Sequence, residues 1–174
     1  MNIIGLSGKK QSGKNQVARF ITKIYKNKII LETAFADELK LEVADACNTT
    51  VDEIQLHKDT YRNLLQLWGT NYRRKFYGED YWIKKLLFKI SNSVADITII
   101  TDVRFLNEAQ MVKQIGGYLV RIERPSDSVL IDRHPSEIEL DDYKKFDFII
   151  KNDGTLDDLY VQTRKMLATI AKIK

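Results

Sequence analysis

Short apolar runs and helix-spaced apolar positions alternate along the chain. Ile3–Leu6 is an apolar run that stops ahead of Gly8, and it predicts a buried strand. From Gly13 to Lys26, Val17, Ile21 and Ile24 recur at helical spacing, with Ala18 and Tyr25 beside them. Ile29–Ala36 reads as a second strand, and Asp37 opens a helix to about Cys47. Residues 51–94 look wholly helical, in three pieces. Tyr61, Leu64, Leu65 and Trp68 repeat at helical spacing, and so do Trp82, Leu86, Ile90 and Val94. Asp96–Thr101 is an apolar strand of the kind buried on both faces. A helix over 106–115 is stopped by Gly116-Gly117. Strands at 118–122 and 146–150 flank a polar loop over 125–135. Thr155 caps the last helix, with Asp157 and Asp158 in its first turn. Its apolar face is Leu156, Leu159, Thr163, Met166, Ile170 and Ile173.

Strands alternating with helices give a parallel sheet covered on both faces. The expected fold is therefore a three-layer α/β/α domain over 1–174, with a central parallel sheet of about five strands. An all-helical insertion at about 48–94 interrupts it. Ligands in such sheets bind beyond the carboxyl ends of the strands.

Composition supports one folded domain: 44% of the 174 residues are hydrophobic, and there are only 8 Gly and 2 Pro. Disorder and low complexity are excluded on that count. The single cysteine, Cys47, excludes a disulfide framework and suggests a reducing, cytoplasmic setting. No apolar run reaches the ~20 residues of a membrane span. The net charge of +4 comes from 28 basic and 24 acidic residues interleaved along the chain. That is not the concentrated stripe of a nucleic-acid binder.

Chemistry enters directly after the first strand. Gly8-Lys9-Lys10-Gln11-Ser12-Gly13-Lys14-Asn15 is the phosphate loop G-x-x-x-x-G-K, with Asn where Ser or Thr is usual. Gly8 and Gly13 allow a tight turn whose N–H groups face a polyphosphate, and the following helix aims its positive end there. Lys14 reaches the β- and γ-phosphates of ATP. Asn15 is a neutral oxygen ligand for Mg²⁺, and Asp102, at the end of the third strand, is the candidate carboxylate. The N-K-x-D base-reading motif of GTPases is absent. A small kinase remains, and it needs a second anionic site suited to arginine. Arg62, Gln66, Gly69 and Arg73 form one stripe on a continuous helix, provided that Gly69 does not break it. Arg104 follows Asp102 by two positions. Arg124 and Arg133 bracket a loop that reads as a lid over about 124–137.

These pieces occur together in a known family. The chain resembles phage-type deoxynucleoside monophosphate kinases, from SGKKQSGKNQVA through R-x-L-L-Q-x-W-G-T at Arg62–Thr70 and Tyr81-Trp82. The likeness continues with D-x-R at Asp102–Arg104 followed by Asn107-Glu108, and E-R-P at Glu123–Pro125. It ends with H-P-S-E at His134–Glu137 and N-D-G-T-L-D-D-L at Asn152–Leu159. The resemblance implies a P-loop kinase fold and Mg²⁺-dependent transfer from ATP to a deoxynucleoside 5′-monophosphate. It implies that Arg62, Gln66 and Arg73 lie near the monophosphate, with Arg104 close by, and that Asn152–Gly154 lies near the adenine. Asn15 and Gln16 depart from the Asp and Thr common in the family, and the helical insertion is shorter than in its longest members. Animal-type phosphomevalonate kinases are similar more distantly, through S-G-K-x-x-S-G-K, W-G-x-x-x-R and D-x-R.

The expected mechanism places Lys10, Ser12, Gly13, Lys14, Asn15 and Gln16 around ATP and Mg²⁺ near Asp102. Arg62, Arg73 and Arg104 hold the acceptor, and Arg124 and Arg133 close over the transferring group. Asp37 orients the acceptor sugar or caps its helix. Trp68, Tyr81 and Trp82 either stack on a nucleobase or belong to the core, with Trp68 favouring the core. His134 and Glu137 order the lid or touch substrate. The expected partners are ATP and the monophosphate, without nucleic acid or membrane, and a homodimer is left open. If phage-encoded, the protein works in the host cytoplasm. The rival from another class is a non-catalytic nucleotide-binding protein.

Overall fold

Five strands form one sheet: β1 (Asn2–Ser7), β2 (Ile30–Thr33), β3 (Ile97–Ile100), β4 (Tyr118–Glu123) and β5 (Phe148–Lys151). Their order is β2-β3-β1-β4-β5, and every neighbouring pair is parallel. The computed structural model describes residues 2–125 and 134–172. The order places β1 centrally, so the loop that leaves it emerges between the ends of β3 and β4. Those two neighbours carry Asp102 and Arg124 just beyond their carboxyl ends.

The chain divides into two compact units, residues 1–33 with 94–174 and residues 34–93. In the first, α1 (Lys14–Ile24) and α9 (Leu156–Lys172) cover one face of the sheet. Val17, Ala18, Ile21, Leu159, Met166, Leu167 and Ile170 pack there against Ile4, Leu6, Ile99, Val120 and Ile122. On the other face, α7 (Leu106–Gln114) comes so close to β1 that a Cβ on Gly5 would lie 3.2 Å from Val112. Strand residues alternate between the two faces, which makes this unit a three-layer α/β/α sandwich.

The second unit is helical. It contains α2 (Phe35–Ala46), α3 (Val51–Leu56), α4 (Lys58–Gln66), a π-helical segment Leu67–Arg74, α5 (Lys75–Tyr77) and α6 (Tyr81–Ser91). Val43, Ala44 and Ile54 are its buried centre, and Tyr61, Leu64, Leu65 and Trp68 pack against them as their spacing predicts. This unit starts at Ala34 and so takes in α2, ahead of the boundary near 48 expected from the sequence.

Three local expectations are corrected. The second strand ends at Thr33, because the Asp37 carboxylate accepts the Ala34 N–H at 2.9 Å and starts α2 at Phe35. Val94 lies beyond the end of α6 and is 85% exposed. Leu156, the first residue of α9, is 64% exposed, whereas Leu159 is 1% exposed. Among the described residues, no helix is long and apolar enough to cross a membrane.

Leu159→Ala should therefore lower the unfolding free energy in urea by about 2–5 kcal/mol. Leu156→Ala should change it by less than about 0.5 kcal/mol.

Candidate active site

The phosphate loop is shaped by two close approaches that forbid a side chain. Gly8 has φ +149°, and a Cβ there would lie 2.4 Å from the Ile122 carbonyl oxygen. Gly13 has φ +107°, and its Cβ would lie 2.6 Å from Asn152 Nδ2. Asn152 braces the loop: its side-chain amide donates to the Ser12 carbonyl at 2.9 Å, and its N–H donates to the Glu123 carbonyl at 2.7 Å. Gly154 is explained by the cap of α9, since its Cβ would meet Asp158 Oδ2 at 2.7 Å. Asp158 and Thr155 cap each other, with Thr155 N–H to Oδ2 at 2.9 Å and Asp158 N–H to Oγ1 at 3.2 Å.

Lys14 is only 9% exposed and donates to the Gly8 and Lys9 carbonyls at 2.6 and 2.7 Å. Burial, and next the Arg104 guanidinium, push its pKa down to about 8; Glu137 and Asp102 act in the opposite direction. Asp102 and Arg104 are thus electrostatic neighbours of Lys14, as their position at the end of β3 predicts. Ser12 Oγ is buried and has no hydrogen-bond partner among the described residues. An orphaned hydroxyl inside a turn of N–H groups fits a phosphate oxygen. Lys10 and Asn15 are exposed, and Gln16 is half-buried at the start of α1.

Arg104 is held at both ends. Its N–H and that of Phe105 both donate to Oε2 of the buried Glu108, at 2.8 and 3.1 Å. Its Nη1 donates to the Ser136 carbonyl at 3.3 Å and pairs with Glu137. Glu137 lies on the short helix α8 (Pro135–Ile138), whose first turn His134 caps by accepting the Ser136 N–H at 3.3 Å. The structure shows His134 as a cap and Glu137 paired with Arg104, which is the ordering role of the two considered. Arg124 Nη1 lies 3.5 Å from the Gln11 carbonyl, beside the loop. Arg133 and most of the expected lid lie outside the described residues.

Two residues without a motif, Arg121 and Asp141, join this cluster. Arg121 on β4 donates to Ser7 Oγ at 3.4 Å and to Asp141 Oδ1 at 3.1 Å, and Lys9 donates to Asp141 Oδ2. A lone arginine in the apolar run of β4 was the available signal for Arg121. Asp141 had none.

The helical unit departs further from expectation. Asp37 caps α2 and pairs with Lys89 at 3.5 Å, which is the capping role of the two considered. Trp82 is 3% exposed and donates from Nε1 to the Gly69 carbonyl at 3.0 Å. A ring buried to that degree cannot stack on a base, so Trp82 is core. The Arg62–Gln66–Gly69–Arg73 stripe is also corrected. Arg62 and Gln66 lie on α4, but Gly69 and Arg73 lie in the π-helical segment. Gly69 does not break the helix. The wider i→i+5 turn instead rotates Arg73 off the line through Arg62. Arg73 donates from Nε to Glu42 at 2.6 Å, a partner no spacing announced.

No group of three or more His, Cys, Asp or Glu among the described residues could hold a metal. Mg²⁺ takes one or two protein oxygens and completes its shell with phosphates and water, so it does not require such a group. Asp102 and Asn15 are the available donors beside the loop.

Residues 35–163 match the family model described as deoxynucleotide monophosphate kinase. The chain belongs to that family. The match starts downstream of the phosphate loop, so loop and family are separate lines of support for a nucleotide kinase. This kinase is 31% identical to a putative deoxynucleotide monophosphate kinase of Acanthamoeba polyphaga mimivirus, over 93% of the chain and 94% of that protein. It is 28% identical to the deoxynucleotide monophosphate kinase of Escherichia phage RB69, over 61% of the chain and 44% of that protein. Among solved structures, the kinase superposes on TT1252 from Thermus thermophilus with a TM-score of 0.55 at 18% identity, covering 99% and 98% of the two chains. The shikimate kinase from Acinetobacter baumannii gives 0.52 at 14% identity, covering 100% and 95%. These likenesses establish the P-loop kinase fold. The family does not favour the phosphomevalonate alternative.

Lys14 ties stability to pH. Below about pH 8 it is charged in both the folded and the unfolded chain, and burying the ammonium lowers stability by about 3 kcal/mol. Between about 8 and its ordinary 10.5 the folded state releases its proton first, so stability rises with pH. Lys14→Met should melt above the wild type at pH 7 without ligand, by at most about 6–12 °C, because it also leaves the Gly8 and Lys9 carbonyls without a donor. The gap should narrow by pH 10, as followed by calorimetry.

Proposed function

We propose that this kinase moves the γ-phosphoryl group of ATP onto the 5′-phosphate of a deoxynucleoside monophosphate, with Mg²⁺ as cofactor. The observation that carries this reading is the buried Lys14 in a glycine-turned phosphate loop, with Asp102 and Arg104 as its charged neighbours. The loop N–H groups, Ser12 Oγ and Lys14 bind the β- and γ-phosphates, and Asn152 keeps the loop in shape. Asp102 and Asn15 would hold Mg²⁺, which when bound neutralises phosphate charge.

An acceptor phosphate oxygen forms a bond to the γ-phosphorus while the bond from that phosphorus to the β–γ bridging oxygen breaks. The acceptor is already ionised at neutral pH, so no general base is required. Arg104 and Arg124 offset the charge on the transferring group. In the helical unit, Arg73 binds the acceptor monophosphate, because a guanidinium fork matches phosphate oxygens, and Arg62 and Gln66 are assigned near it by the likeness to the family rather than by a shared helix stripe. The mimivirus and phage relatives support a setting in the cytoplasm of an infected host.

Purified protein with Mg-ATP should convert at least one of dTMP, dGMP, dCMP and dAMP to the diphosphate, read by phosphorus NMR. Lys14→Ala should lower kcat/KM by roughly 10²–10³-fold or more while the circular dichroism spectrum is retained. Turnover of none of the four would overturn the assignment.

A further inference from the structure

The helical unit holds a polar cluster that the proposed mechanism leaves unexplained. At its centre is Glu42, on α2, whose side chain is 15% exposed. Its Oε2 accepts Arg73 Nε at 2.6 Å and Trp68 Nε1 at 3.1 Å. Its Oε1 accepts the Tyr81 hydroxyl at 2.5 Å and pairs with Lys85 Nζ at 3.1 Å. A carboxylate offers about four lone-pair sites, and here four donors take them. Burial acts to raise the Glu42 pKa, but bonds from Tyr81, Trp68, Arg73 and Lys85 outweigh it and hold the carboxyl below its usual range. Burial and the bond to Glu42 push the Tyr81 hydroxyl up to about 12, so it stays a donor at any working pH.

Saturation of Glu42 has a geometric effect on Arg73. Arginine and carboxylate pair most strongly through two parallel bonds. That mode needs two free acceptor positions, and Glu42 has none to spare for a second N–H. Arg73 is therefore held at Nε alone. Its Nη1 and Nη2 donate no hydrogen bond among the described residues. The guanidinium carbon lies 4.8, 5.0, 5.3 and 5.7 Å from the ring centres of Tyr77, Tyr72, Tyr81 and Trp68. These rings attract the cation but offer its N–H groups no in-plane acceptor. The plane is fixed and the terminal fork is unused. Glu42, Arg73 and Lys85 together leave one net positive charge.

We propose that Glu42 is a positioning residue for the acceptor: saturated by Tyr81, Trp68 and Lys85, it anchors Arg73 by Nε and leaves the Nη1–Nη2 fork for the 5′-phosphate. This rests on the assignment of Arg73 to the acceptor monophosphate made above. It extends that assignment to residues that never touch substrate, and it accounts for three donors converging on one carboxylate. A structural tie between α2 and the π-helical segment would need Glu42 and Arg73 to meet, but would have no use for an empty fork.

The test is a kinetic cycle on the full chain with Mg-ATP and whichever monophosphate the wild type accepts. Glu42→Gln keeps the shape but removes the charge and one acceptor oxygen. It should raise the acceptor KM about tenfold, with the ATP KM changed by less than about twofold. Arg73→Ala should raise the acceptor KM further, and Glu42→Gln should add nothing in the Arg73→Ala background, since both act through one fork. Tyr81→Phe removes only a hydroxyl, yet it frees a position on Glu42 and lets Arg73 bind it twice; it too should raise the acceptor KM alone. If Glu42→Gln fails to fold, Tyr81→Phe, alone and with Arg73→Ala, decides the question. Independent, multiplying effects of Glu42→Gln and Arg73→Ala would overturn the proposal, as would equal shifts in both KM values or an unchanged acceptor KM in Tyr81→Phe. A wild type that turns over no monophosphate removes the kinase assignment and this inference together. A working wild type with unaffected variants removes the inference alone.

Discussion

A buried ammonium has to be surrounded by oxygen, and the α/β unit is arranged around that requirement. Lys14 lies at the start of α1, where the helix dipole already disfavours a cation. It is held there by the Gly8 and Lys9 carbonyls, which face inward only because Gly8 takes a backbone conformation closed to other residues. The Ile122 carbonyl, brought there by β4 beside β1, fills the space a Cβ on Gly8 would need. The turn out of the loop needs Gly13, and Asn152 fills the space a side chain there would take. Central β1, its neighbour β4 and the turn after β5 are thus joined through one loop. The strain is local, and it leaves positive charge concentrated where a polyphosphate binds.

The helical unit presents the converse case, an anion encircled by donors. Glu42 sits among Arg73, Lys85, Tyr81 and Trp68 much as Lys14 sits among carbonyls. Both groups have shifted pKa values with identifiable causes, and both are satisfied by neighbours distant in sequence. Burying a charge costs several kcal/mol unless every lone pair or proton is met. Such sites persist where they do more than stabilise. They fix orientation, and orientation is what phosphoryl transfer asks of a protein.

Much of this was legible in the sequence, for reasons that can be named. The strand–loop–helix at the start is local, and Gly8, Gly13 and Lys14 are recognised by spacing alone. Asp102 and Arg104 follow from strand polarity, because the ends of β1 and β3 lie on one edge of a parallel sheet. Leu64, Leu65 and Trp68 followed from helical period. What stayed hidden depends on separation in the chain. Glu42 pairs with partners on other helices, and Asp141 bridges Lys9 and Arg121 from a loop without a motif. No periodicity encodes such meetings. Trp82 was left between site and core, because an aromatic at helical spacing looks the same whether it lines a site or fills a core. The Arg62–Arg73 stripe failed because it assumed 3.6 residues per turn throughout.

That last departure makes the π-helical segment a matter of residue count. Arg73 faces Glu42 because the turns from Leu67 to Arg74 each carry more residues than an α-turn. Deleting one residue while the wide turns persist would swing everything downstream by roughly a quarter turn. It would also detach the Gly69 carbonyl from Trp82. Side-chain substitutions along this helix can be graded, since each alters one contact. A change of length cannot. Among relatives, loops would be free to grow and shrink while this stretch kept its tally, so that the alignment of the cluster is written in the number of residues as much as in their identity.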